Sequence, residues 1–479
     1  MKDSKSVLSG IGSMAVLTIS SKLIRLLILM FTARFLTAAD FGVVAAFSMV
    51  FAFAHLFAGM GTTRTIVQRP IINNSHIASA LYFSLSIGLV LTLIMFFSAG
   101  YIAEFMNVPE LILPLKVSSF TFLILAFSNT CSGLYQREGN IVFIGKVQAL
   151  GTVLGGVLIT VPLVFFDVGH WSIIFGLLFS EVFSILIVIL LGFKKLRFKA
   201  KKKEFDEIVK YSFAFFFNNT IGLLSQQVDI AVVSKYMGAI PLGNYSRAIQ
   251  LVEFPNQIYW MVVDRVVFPA MSAMKSDKVK LANFFTTSIA LLSLILILGS
   301  TILSIGAYEI VLIMMGSNWE SVAELLQILA FAIFFRSISA FMDSFLAAYG
   351  LVKVLTYKQI ISLLSFVVLL LFAIDFGVKG VAIAVVISSI IRFLLTVITV
   401  VVFTEIKFKS ILSSFFPGMN TVIVILILYL FFNEFTPLIG FAGILISFLL
   451  FMALMFLKPM NLFLTQEGVG FVNKIKCKF

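Results

Sequence analysis

The sequence predicts an all-α, polytopic membrane protein of about 14 transmembrane helices, built as two six-helix bundles related by pseudo-two-fold symmetry plus two C-terminal helices. Three observations predict it. Of 479 residues, 61% are hydrophobic and 12% charged, against roughly 25% charged in a soluble domain; so few charges cannot cover a water-facing surface of this size. The apolar residues fall into runs of the roughly 20 residues needed to cross the hydrocarbon core. A ten-residue pattern also occurs twice, each time after a long apolar run.

Cutting the chain at charged, Pro/Gly and Asn/Asp punctuation places the spans near 9–36, 41–63, 76–103, 111–135, 143–166, 171–193, 208–236, 242–270, 281–305, 322–349, 353–374, 378–403, 410–432 and 437–457. The first is expected to be a retained span, because it lacks the compact apolar region and small-residue cleavage site of a signal peptide. Lys and Arg gather in every second loop, at 64–69, 137–146, 194–203, 275–280, 353–358 and 407–409, with Lys358 counted among these loop cations. The intervening loops hold mostly Asp40, Glu104, Glu110, Asp167, Glu320, Asp375 and Glu434. The positive-inside rule then sets both termini in the cytoplasm. The expected divisions are an N-terminal bundle at 1–193, a basic cytoplasmic linker at 194–207, a second bundle at 208–405, and two extra helices with a basic tail at 406–479. Facing anionic headgroups, such a linker fixes topology.

The repeated stretches are ARFLTAADFG, from Ala33, and SKYMGAIPLG, from Ser234. Aligned without a gap, they share Ala38 with Ala239 and Gly42 with Gly243, at an offset of 201 residues (239 − 38 and 243 − 42). Arg64 falls opposite Arg265 at the same offset. Six spans separate the copies, an even number, so the halves share one orientation about an axis along the membrane normal.

The stretch QQVDIAVVSKYMGAIPLGNYSRAIQLVEFP, Gln226 to Pro255, with VVFPAMS from Val266, resembles the second-half signature of the polysaccharide-transporter flippases. ARFLTAADFGVVA is similar to the matching first-half segment. That family belongs to the superfamily that also holds multidrug/toxin extruders and lipid-linked peptidoglycan-precursor flippases. The resemblance implies two bundles that rock about a central cavity, and transfer of an undecaprenyl-diphosphate-linked repeat unit to the periplasmic leaflet. It also implies an inner-membrane location and, as partners, the lipid-linked oligosaccharide, membrane lipids and other polysaccharide-assembly proteins, with no nucleic acid.

Independently of any family, a charge at the bilayer centre costs about 2.5–3.5 kcal/mol on insertion scales, so such residues face a bundle interior or a wet cavity. The spans hold Lys22, Arg25, Glu181, Asp229, Arg247, Glu253, Arg336, Asp343 and Arg392. Thr18, Lys22 and Arg25 share a helix face, as do Asn218, Gly222, Ser225 and Asp229, and Arg336, Ser339 and Asp343. A cationic wall complements a diphosphate, since Arg grips phosphate bidentately and Lys as a point charge. Lys22, Arg25, Arg247, Arg336 and Arg392 are therefore the candidate substrate-binding cations, and Asp229, Glu253 and Asp343 the candidate coupling or counter-charges. The opposing expectation is internal ion pairing, for example of Arg336 or Arg392 with Asp343.

Enzyme chemistry finds no support. His55, His76 and His170 are isolated in sequence, no H-E-x-x-H occurs, and Cys131 and Cys477 make neither a disulfide framework nor a metal cluster. GNIVFIGKV, from Gly139, has the wrong spacing for a phosphate loop and Val where a hydroxyl is required. No cofactor or metal is expected. The leading expectation is a flippase for surface-polysaccharide synthesis (O-antigen, capsule or exopolysaccharide) working by alternating access. The alternatives are a cation-coupled multidrug extruder, which would need exposed carboxylates, and a membrane polysaccharide polymerase or ligase, which would need a large external loop.

Overall fold

The computed structural model describes residues 4–59, 62–263 and 277–415, together with Val267, Met271 and Met274. All regular structure among them is helical. In chain order the helices are α1 (Ser4–Thr32), α2 (Ala38–Gly59), α3 (Thr62–Gln68), α4 (Asn74–Phe105), α5 (Ile112–Arg137), α6 (Ile141–Val153), α7 (Val161–Phe165), α8 (Trp171–Gly192), α9 (Lys202–Met237) and α10 (Ala239–Val262). There follow α11 (Lys278–Ile305), α12 (Ala307–Met315), α13 (Glu320–Tyr349), α14 (Val352–Ala373), α15 (Gly377–Phe403) and α16 (Phe408–Ser413). Each of the first twelve expected spans coincides with a helical segment. Eight segments among the described residues are long and apolar enough to cross a membrane, one of them, Val352–Phe403, comprising α14 and α15. Span 13 from residue 416 onward, span 14, Arg265 and Cys477 lie outside the described residues.

Local chemistry sets the helix ends. Asn73 caps α4: its Oδ1 accepts from the His76 amide at 2.9 Å while His76 Nδ1 accepts from the Asn73 amide at 3.3 Å. Asp277 caps α11 by accepting from the Lys280 amide at 3.0 Å. Gly238, at φ +80°, closes α9 and lets α10 begin at the next residue.

Contacts among the described residues form two compact units divided between Ser246 and Arg247. In the first, α4 packs on α5, α5 on α8, and α1 on α6, while α2 lies against α5 and α9. Because α9 also packs on α3 and α4, this unit extends past the basic linker. The contact of α8 with α6 and with the stretch that follows it, Leu154–Thr160, is made by small residues. Gly151 abuts Ser180 and Ser184, Gly155 abuts the Gly176 carbonyl, and Gly176 abuts Thr160. Four-residue spacing of small side chains lets two backbones approach where lipid supplies no hydrophobic drive. Between α6 and α7 the chain widens into a π-helical stretch, Leu154–Thr160, just before Pro162, which a proline tolerates because it lacks an amide donor.

Segments 64–73, 137–141 and 193–207 meet at one end of this unit. Arg137 donates to the carbonyls of Ile66, Arg69 and Pro70, Lys195 pairs with Glu138, and Tyr82 donates to the Phe198 carbonyl at 2.9 Å. At the other end Asp40 accepts from the His170 amide at 2.8 Å, and Ser234 Oγ donates to the Met106 carbonyl at 2.6 Å.

In the second unit α13 is central, packed by α11, α12, α14 and α15. Its buried face includes Leu325, Leu329, Phe341 and Phe345. Phe285 of α11 lies on Phe341 and Phe345, with ring centroids 5.7 and 4.1 Å apart. Within α10, Pro255 removes one helical hydrogen bond beside Glu253.

Candidate functional site

The intramembrane charges assemble into three groups, one in the first unit and two in the second. In the first, the α1 face carries Lys22 and Arg25 one turn apart. Arg25 is accessible, its Nη2 3.4 Å from the Thr152 hydroxyl of α6 and within the field of Glu181 on α8. Glu181 accepts a partner from a third helix, with His55 Nε2 of α2 at 3.2 Å. Asp229 of α9 is buried and accepts from the buried Tyr245 hydroxyl of α10 at 2.7 Å.

In the second unit Glu253 of α10 pairs with Arg336 of α13 at 2.9 Å. The pair is braced on its own helices: Asn256 donates to Glu253 at 3.2 Å and accepts from Ser337 at 2.8 Å. One turn of α10 and one of α13 thereby fix both charges. Arg247, half-buried, lies on α10 six residues before Glu253. The third group joins three helices. Asp343 of α13 binds Lys358 of α14 through one oxygen and Arg392 of α15 through the other, the latter at 3.2 Å. Lys358 also donates to Thr396 of α15 at 2.8 Å. Removing one member of a buried pair costs about 3–5 kcal/mol, so the buried Lys358–Asp343 pair is a structural commitment as well as a charged group.

Outside the spans, Arg69 and His76 both hold Glu207 at the start of α9. The Arg69 guanidinium and then the His76 ring keep the Glu207 carboxyl below the usual carboxylate range.

Of the residues expected to act together, Arg392 does meet Asp343, while Arg336 meets Glu253 instead. Two partners escaped the sequence. Lys358, counted above as a loop cation, sits buried in the second turn of α14, where among the described residues Asp343 pairs with it and the Thr396 hydroxyl accepts from it. Its position five residues inside the expected span 353–374 was the available signal. His55 gains Glu181 across 126 residues of chain, and nothing in a single sequence links two positions so far apart.

The sequence profile described as "Polysaccharide biosynthesis protein" matches residues 31–324. The chain belongs to the polysaccharide biosynthesis protein family. Among relatives, an uncharacterized membrane protein of the cps region of Klebsiella pneumoniae is 23% identical over 368 residues, 76% of each chain. The lipopolysaccharide biosynthesis protein WzxC of Escherichia coli K12 is 23% identical over 321 residues, covering 66% of this chain and 64% of that protein. The succinoglycan biosynthesis transport protein ExoT of Rhizobium meliloti is 24% identical over 298 residues, covering 62% of this chain and 60% of its own. The chain thus spans just under two thirds of the latter two. Among solved structures, the inward-closed lipid II flippase MurJ superposes with a TM-score of 0.75 at 17% identity, covering 92% of this chain and 98% of that one. An inward-facing MATE-family multidrug transporter of the MOP superfamily gives 0.64 at 17%, covering 81% and 98%. The family member is therefore a multi-pass membrane protein of polysaccharide biosynthesis with the MOP transporter fold. Relatives whose names state an activity are transporters or flippases rather than enzymes.

Proposed function

We propose that the protein is a flippase that moves an undecaprenyl-diphosphate-linked oligosaccharide repeat unit across the inner membrane by alternating access, supplying surface-polysaccharide synthesis. The observation that carries this reading is that a member of this family keeps accessible arginines within its spans, Arg25 in one unit and Arg392 in the other. Lys22 in the first unit, and Arg247 and Arg336 in the second, are proposed as further cations complementary to a diphosphate. Asp229, Glu253 and Asp343 are proposed as counter-charges. The division into six, six and two spans, with both termini cytoplasmic, belongs to the same proposal and rests on the Lys/Arg alternation.

A multidrug extruder would need carboxylates free to hold a lipophilic cation. Here Glu253 is held by Arg336, and Asp343 by Lys358 and Arg392, so neither carboxylate is free for such a cation. Cells lacking the protein should accumulate the diphosphate-linked oligosaccharide on the cytoplasmic leaflet. An undiminished periplasmic supply would end the proposal.

A further inference from the structure

Charge does not balance where α13, α14 and α15 meet. Among the described residues Asp343 is the carboxylate there and it faces two cations, Lys358 on one oxygen and Arg392 on the other. The cations are not equivalent. The Lys358 side chain is 5% exposed and is anchored a second time, by Thr396 Oγ1 at 2.8 Å. Thr396 in turn donates to the Arg392 carbonyl at 2.7 Å, so the anchor is part of the helix turn that carries Arg392. The Arg392 side chain is 37% exposed and reaches Asp343 through one nitrogen, Nη2, at 3.2 Å. A guanidinium presents five N–H donors in a planar fork, so an end-on contact leaves most of the fork outside the Asp343 contact.

We infer that Arg392 is an exchangeable anion subsite, at which Asp343 stands in for a phosphate-ester ligand until the ligand displaces it, and that Lys358 is the positioning residue that retains the displaced carboxylate. The inference rests on the flippase reading and deepens it. A carboxylate released from Arg392 with no other partner would be stranded in low dielectric, which is strongly destabilising. With Lys358 in place the exchange strands nothing: Asp343 keeps its buried partner, and Arg392 trades an end-on carboxylate contact for the bidentate grip that phosphate permits. The excess positive charge of the group falls as the anion enters. No covalent step is involved.

The phosphate ester could belong to the lipid-linked substrate or to an anionic phospholipid headgroup, and one titration separates them. The full chain, in nanodiscs of phosphatidylcholine, is titrated with farnesyl diphosphate, with farnesol as control. Arg392→Ala should weaken binding at least about tenfold, which is roughly 1.4 kcal/mol, while leaving Asp343 paired and the protein folded. Lys358→Met should weaken it comparably, because Asp343 then holds Arg392 permanently. Lys358→Met with Asp343→Asn should restore binding to within about threefold of wild type. Asp343→Asn alone, which frees Arg392 while leaving Lys358 without its partner, should bind at least as tightly as wild type, whereas a merely structural pair predicts that this single variant loses binding with the fold. Adding phosphatidylglycerol to the discs should lower wild-type but not Arg392→Ala affinity for the probe if headgroups use the subsite, and leave both unchanged if only the diphosphate does. Unaltered binding by Arg392→Ala, or no rescue by the double variant, overturns the subsite while leaving the flippase reading standing. A wild-type protein that binds neither the diphosphate probe nor the anionic headgroup overturns both.

Discussion

Gly42 and Gly243, 201 residues apart, meet across one another's helices inside the first compact unit. A Cβ built on Gly42 would collide with the Ala239 carbonyl, and one built on Gly243 would collide with the Ala38 carbonyl and lie 3.1 Å from the Gly42 amide nitrogen. The contact is reciprocal, each glycine taking the alanine that begins the opposite helix. The residues shared by the two decapeptides are the ones that touch.

Substituting either glycine by Ala should therefore destabilise the protein by about 1–3 kcal/mol through overpacking against backbone that cannot move aside. Gly100→Ala in α4, where nothing lies within 4 Å of an added Cβ, is the control and should stay within about 0.5 kcal/mol of wild type. Thermal unfolding of the purified protein reads both. Equal midpoints for Gly42→Ala and Gly100→Ala would show that the crossing is looser than drawn.

Arg25→Ala should abolish transport and leave membrane abundance nearly unchanged, since removing an intramembrane charge does not penalise insertion. Arg25→Lys should recover only part of the activity, keeping charge and losing the fork. If Arg25 serves instead as a counter-ion for Glu181, the alanine variant loses abundance, and Arg25→Ala with Glu181→Gln restores both abundance and transport. That rescue would remove Arg25 from substrate contact.

Orientation is checked by reporter fusions. Fusions after Lys203 and after Lys280 should report cytoplasm, and fusions near Glu104 and Asp375 the periplasmic side, as the Lys/Arg alternation requires. A cytoplasmic signal at either acidic loop would break the proposed topology.

The Arg69–Glu207–His76 group predicts a pH dependence. Glu207 has its pKa lowered in the folded protein by Arg69 and then His76. Its contribution is thus intact above the ordinary glutamate value of about 4.3 and is lost as pH falls through the lower folded-state value. Midpoints of thermal unfolding should fall less steeply with acid in Glu207→Gln than in wild type. Parallel curves would mean that Glu207 ties α9 to α3 and α4 without any linkage to protons.

The sequence by itself determined the membrane class, the helical character of the first twelve expected spans and the repeated decapeptide, because each is written in local terms: run length, turn residues, the spacing of charges. Asn73, Asp277 and Gly238 end helices by contacts within a few residues, and their types announce the ends. Only the tertiary structure decided which charge meets which. Arg336 was as near in helical register to Asp343 as to anything else, yet it pairs with Glu253, 83 residues away, because the α10–α13 packing holds Asn256 against Ser337 and with it the carboxylate. Lys358 read as a loop cation until α14 was seen to carry it against Asp343 and Thr396. Helical periodicity tells which face of a helix a residue occupies; the neighbour facing it is chosen by packing across the whole unit, which no local pattern encodes.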